Sequence, residues 1–180
     1  MLKRSRLCIF LCGVFCVFLA DAVPAAQPAP GQKGSRACWM SDLVGTWEMK
    51  SLNSKIKTNP KDPFTWPYQR VIFDKKGDVK EMTSQKTIEG DRAVIQKFEN
   101  TLSTSKYSLD ERGVLSITKL ELTYPEKCLC AYVTKDLPPG VLAKIPEAKK
   151  AALPKRGDIL LTYFGKDGKP YLSKSLRKLV

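Results

Sequence analysis

The stretch Asp42-Leu43-Val44-Gly45-Thr46-Trp47-Glu48-Met49-Lys50-Ser51-Leu52 decides how the rest of the chain is read. From Leu43 to Leu52, Gly45, Trp47 and Met49 fall on one face and Thr46, Glu48 and Lys50 on the other. A period of two predicts a strand with one buried and one wet face. Downstream, Tyr68–Asp74 and Asp78–Ser84 predict a hairpin around Lys75, Lys76 and Gly77, with Val71 and Phe73 pointing inward. Further strands are expected over Ala93–Glu99, Thr101–Leu109, Val114–Tyr124 and Lys127–Lys135. A last hairpin, Asp158–Phe164 with Pro170–Lys178, turns at Gly165-Lys166-Asp167-Gly168, where the Asp-Gly pair is a strong turn signal. Short strands at this spacing predict an all-β barrel or sandwich of eight or nine strands over residues 38–180.

One stretch breaks the rhythm. Residues 138–154 carry Val141, Leu142, Ile145, Ala148 and Ala152 at helical spacing, so a short helical excursion is expected there, with Pro146 tolerated in a first turn. Its structural role is to lie on the side of the barrel; a lid or a basic surface-binding helix is the alternative.

Toward the N-terminus the pattern changes again. Lys3, Arg4 and Arg6 precede an uncharged apolar run, Leu7 to Ala20, that ends at Asp21. This predicts a secretory signal peptide over residues 1–26, because the run is shorter than the roughly 20 residues a spanning helix needs. A stable transmembrane anchor is not expected. Cys8, Cys12 and Cys16 leave with the signal peptide, and the Pro/Ala-rich residues 27–37 read as a flexible tether. The expected location is periplasmic or extracellular.

The chain contains 31 Lys+Arg, 18 Asp+Glu and no His, a formal charge of +13. Without His there is no Ser-His or Cys-His catalytic pair and no His-bearing zinc or haem site. Neither a phosphate-binding glycine loop nor a convergent pair of carboxylates stands out, so no enzyme activity and no cofactor or metal are expected. The basic surface points to an anionic envelope polymer or an acidic protein as a possible partner, not to nucleic acid, which is not the main polymer in that compartment.

The motif Gly45-Thr46-Trp47 on a first strand, behind a signal peptide and a tether, resembles the G-x-W signature of lipocalin-type, or calycin, barrels. In that family the Trp plugs the closed end of the barrel and a basic side chain near the last strand packs across it. Arg177, in Leu172-Ser173-Lys174-Ser175-Leu176-Arg177-Lys178, matches that partner in preference to Lys178. The family's T-D-Y motif has no counterpart here, which marks the resemblance as divergent. It implies an antiparallel, up-and-down lipocalin-like barrel of eight or nine strands that holds a small hydrophobic or amphipathic ligand, and the protein is expected to be a monomer. Met49, Val71, Phe73 and Tyr163 are the inward candidates for contacting it, alongside Leu115 and Ile117 as core. Phe64 and Trp66 lie on the loop Asn53–Pro67, which in such a barrel flanks the open mouth.

Three cysteines remain, Cys38, Cys128 and Cys130. Cys128 and Cys130 sit two apart on one strand, near the outer limit of Cα spacing for a disulfide. A bridge from Cys38 to Cys128 or to Cys130 is therefore expected, with one thiol left over. The alternative is a soft-metal or dithiol redox site built on Cys128 and Cys130.

Overall fold

The computed structural model describes residues 34–57, 59–88, 92–100, 103, 105–119 and 124–179. The expected signal peptide, its three cysteines and residues 27–33 of the expected tether lie outside them.

Among the described residues nine strands follow in chain order: β1 (Ser35–Ala37), β2 (Gly45–Ser54), β3 (Tyr68–Phe73), β4 (Asp78–Ser84), β5 (Ser105–Leu109), β6 (Val114–Lys119), β7 (Glu126–Val133), β8 (Ile159–Phe164) and β9 (Pro170–Lys178). All pairings are antiparallel, and β2 to β9 close into an eight-stranded up-and-down barrel through the contacts of β2 with β9 and of β7 with β8. The additional strand, β1, runs along the edge of β7 beyond the start of β6, pairing Ser35–Ala37 with Ala131–Val133. Part of the expected tether is thus in the sheet, because β7 is longer than β6 and leaves backbone donors and acceptors for a third neighbour.

Alternation works as the sequence predicts. Trp47, Met49, Val71, Phe73, Tyr107, Leu115, Ile117, Leu161 and Tyr163 all point inward into one core cluster. Trp47 is fully buried and donates its indole N–H to the Leu43 carbonyl at 2.6 Å. Leu43 ends a single helical turn, α1 (Met40–Leu43), which closes this end of the barrel.

Two expectations are overturned. Ala93–Glu99 is not a strand: residues Arg92–Asn100 form a helix, α2, since Val94, Ile95 and Phe98 repeat at helical spacing among good helix formers. The excursion is also not one helix. It forms two single turns, α3 (Pro139–Leu142) and α4 (Glu147–Lys150), because Pro146 between them has no N–H to carry the hydrogen-bond ladder across.

Cys38 is bridged to Cys130, across 92 positions of sequence, with a Cα–Cα distance of 5.5 Å. The bond ties the segment between β1 and α1 to the inner face of β7. Cys128 remains a free, buried thiol one inward position further along the same strand.

Candidate functional site

The open end of the barrel is built from inward positions that carry charge. On β9, Leu172, Lys174 and Leu176 share the inner face, so Lys174 enters the interior and is only 5% exposed. Its ammonium donates to Gln69 Oε1 at 2.9 Å and lies 3.6 Å from the centroid of the Phe64 ring. Burial lowers the Lys174 pKa to about 8 against the pull of Glu81 and Glu126. Gln69 uses its amide N–H groups to hold the Phe64 and Trp66 carbonyls, both at 2.8 Å. One buried Gln therefore folds the Pro63–Thr65 turn in over the barrel end while satisfying the lysine.

Below the turn, Phe64 meets Tyr163 edge to face at 5.0 Å. Tyr163 neighbours the Cys128 thiol, whose pKa burial pushes up to about 12 while the tyrosine hydroxyl works in the opposite direction. Such a thiol stays protonated and is a poor nucleophile.

A second charged group faces it. Register puts Glu81 opposite Val71 and Glu126 opposite Ile117, both inward, and Lys119 lies two positions beyond Ile117 on the same face. Lys119 bridges Glu81 at 2.8 Å and Glu126 at 3.1 Å. Burial opposes its charge, but the two carboxylates outweigh burial and raise its pKa. Glu126 keeps its other oxygen, Oε2, buried without a partner.

The wall opens beside this cluster. Among the described residues β4 and β5 pair at Asp78 with Lys106 and Val79 with Ser105, and α2 lies beside the rest of β4. The resulting cleft has a volume of about 560 Å³ and runs from Val94 and Phe98 of α2, past Met82, to Glu81 and Lys119. That volume falls within the roughly 300–1,000 Å³ typical of small-molecule sites. It offers an apolar entrance and a polar floor.

The residues singled out from sequence divide into two groups. Phe64 and Tyr163 meet at the open end, where the Lys174 ammonium lies 3.6 Å from the Phe64 ring and 5.7 Å from the Tyr163 ring. Met49, Val71 and Phe73 are buried deeper and fill the barrel as core. Trp66 stays on the rim, half-buried, and donates its indole N–H to the Pro60 carbonyl at 2.9 Å. At the closed end, Gly45 has φ 137°, and a Cβ there would lie 2.5 Å from the Lys178 side chain, so the glycine leaves room for that lysine.

The basic partner of Trp47 is corrected. Lys178 pairs with Trp47 across the strands and puts its ammonium 5.7 Å from the indole, whereas Arg177 pairs with Glu48 and faces outward. A shift of one residue changes the face of the sheet, and that parity rules out Arg177. Arg177 instead makes a bidentate pair with the buried Asp158, at 3.0 and 2.8 Å, and donates to the Leu153 carbonyl at 3.1 Å. The bond to Asp158 raises its pKa.

Sequence reasoning missed Gln69, Glu81, Lys119, Glu126 and Lys174. The signal was present in the alternation itself, since each shares a face with a core residue on its strand. Among the described residues, no group of three His, Cys, Asp or Glu side chains could hold a metal ion. Cys130 is committed to Cys38, so a Cys128–Cys130 dithiol is not formed.

The class defined by this geometry is a closed, antiparallel, up-and-down eight-stranded barrel with one added strand and a wall cleft. Comparison with protein-family models, with curated proteins and with solved structures gives no match to this chain.

Proposed function

We propose that this is a divergent lipocalin-like protein, exported through the secretory pathway, that binds a small amphipathic molecule without catalysis. The observation that carries the reading is the cleft between β4, β5 and α2, which joins an apolar lip at Val94 and Phe98 to the polar floor at Glu81 and Lys119. The barrel interior around Met49, Val71 and Phe73 is filled by side chains, so the ligand belongs in the wall cleft and not at the barrel centre. Its polar end meets the ion pair of Glu81 and Lys119, held at 2.8 Å, and the hydroxyls of Ser103 and Ser105. The Gly45-Thr46-Trp47 motif at the end closed by α1 supports the lipocalin-like reading. The Cys38–Cys130 bridge supports export, since such bonds persist in oxidising compartments.

The test is native mass spectrometry of the protein exported into a bacterial periplasm, set against its denatured mass. The expected result is a mass excess lost on denaturation and absent from a Val94→Trp variant, which fills the lip of the cleft. A bare polypeptide mass in both states, together with retention on an anionic polymer that collapses between low and physiological salt, would overturn the reading. The function would then lie in the basic surface.

A further inference from the structure

The excursion after β7 roofs a second groove, on the outside of the barrel. This groove has a volume of about 580 Å³ and lies between the outer faces of β2, β7, β8 and β9 and the segment ending in Pro154. Its floor is lined by four hydroxyl side chains, Ser51, Thr162, Ser173 and Ser175. Ser175 is only 2% exposed, and its Oγ has no hydrogen-bond partner. A buried hydroxyl without a partner is unfavourable, because it has given up its bonds to water. A buried polar atom of the groove thus lacks a protein partner.

The remaining wall is apolar where the roof descends, at Leu160, Ala148, Ala152 and Leu153. Lys149 stands at the rim, and among the described residues no carboxylate forms a salt bridge with it; its neighbour Lys150 takes Glu147 instead. The roof is fixed in place. Asp158 holds Arg177, which in turn holds the Leu153 carbonyl, and Asp158 also accepts from the Lys155 N–H at 2.8 Å. A groove held this way is preorganised for a ligand.

We infer that this outer groove is a second binding site, for a single-chain amphiphile with an anionic carboxylate head. Hydroxyls and an ammonium are all donors to a carboxylate, which is acceptor-only when ionised, and Ser175 Oγ gains the partner it lacks. The aliphatic chain lies on Leu160, Ala152 and Leu153. The site is independent of the wall cleft, since the two share no lining residue.

The experiment is a titration of the protein with sodium dodecanoate below its micelle concentration, followed by backbone amide NMR. Saturable shifts are expected at Ser51, Thr162, Ser173 and Ser175. Ser175→Ala and Lys149→Glu should each weaken binding about tenfold, and uncharged dodecanol should bind about tenfold more weakly than dodecanoate. Neither variant should lower the melting temperature, because Ser175 Oγ makes no bond and Lys149 is exposed. Shifts confined to Val79, Glu81 and Lys119, unchanged affinity in both variants, or no saturable shift would overturn the assignment. The first of these outcomes would leave the wall-cleft reading standing, so the two proposals fail separately.

Discussion

The two ends of the barrel solve the same closure problem with opposite chemistry. At the α1 end, Trp47, Leu43 and the Cys38–Cys130 bridge form an apolar plug in which the buried indole N–H has a partner. At the other end the interior holds Lys174 and Gln69, with the half-buried Lys119 bridging Glu81 and Glu126 beside them, and the aromatic turn at Phe64 is drawn in by hydrogen bonds to a buried amide. Burying charge costs free energy that apolar side chains of the same size would not. Stability is therefore concentrated at the Trp47 end, and the charged end gives up stability for a polar interior next to an opening in the wall.

Breaking the plug should have the largest effect. Trp47→Ala is expected to cost about 3–5 kcal/mol in urea unfolding, through the lost ring and the Leu43 carbonyl left without its donor. Reduction of the Cys38–Cys130 bridge should cost about 2–5 kcal/mol, read as a lower urea midpoint with reductant than without.

The charged end should show itself through pH. Lys174 has a folded pKa near 8, below its ordinary 10.5, so the unfolded chain binds the proton more tightly. Stability should rise by roughly 1–3 kcal/mol as pH increases from about 8 to 10.5, and the rise should disappear in Lys174→Met. Cys128 acts with the opposite sign. Its folded pKa is near 12 against an ordinary 9, so its contribution is intact below pH 9 and is lost as pH climbs toward 12. In Cys128→Ala the Lys174 rise should therefore continue further than in the unmodified protein, as thermal melts across this pH range would show.

The smallest effect is also the sharpest contrast. At pH 7, Lys174→Met should change stability by less than about 1 kcal/mol, because removing a buried charge offsets the acceptor left unpaired on Gln69. A loss comparable to that of Trp47→Ala would mean that the two ends do not differ in the way described.

The plug was legible in the sequence and the charged interior was not, for one physical reason. Gly45, Trp47 and Met49 announce a buried face because they are small or apolar. Lys174 and Gln69 occupy buried positions on the same inward face but read as solvated, since polar and charged groups are normally found outside. Parity along the strand was the better guide, as the exchange of Arg177 for Lys178 over Trp47 also shows. The cysteine reasoning left two partners for Cys38, and only the pairing of β1 with β7 selects Cys130, whose carbonyl accepts from the Cys38 N–H at 3.0 Å. Helix α2 was lost to a strand reading because Val94 to Phe98 fits both periods over so short a run.

The short seam between β4 and β5 makes the barrel a hoop with a clasp. Among the described residues two residue pairs fasten it, while β4 continues through Lys80–Ser84 with β3 as its strand partner on one side and α2 on the other. The backbone of β4 that faces the seam is consequently the first part of the wall to trade its amide protons with solvent, ahead of β2 and β9, which are joined along most of their lengths. Everything before the clasp, β1 to β4, and everything after it, β5 to β9, is contiguous in the chain. The molecule can thus loosen at this point while the Cys38–Cys130 bridge keeps its two halves together on the far side.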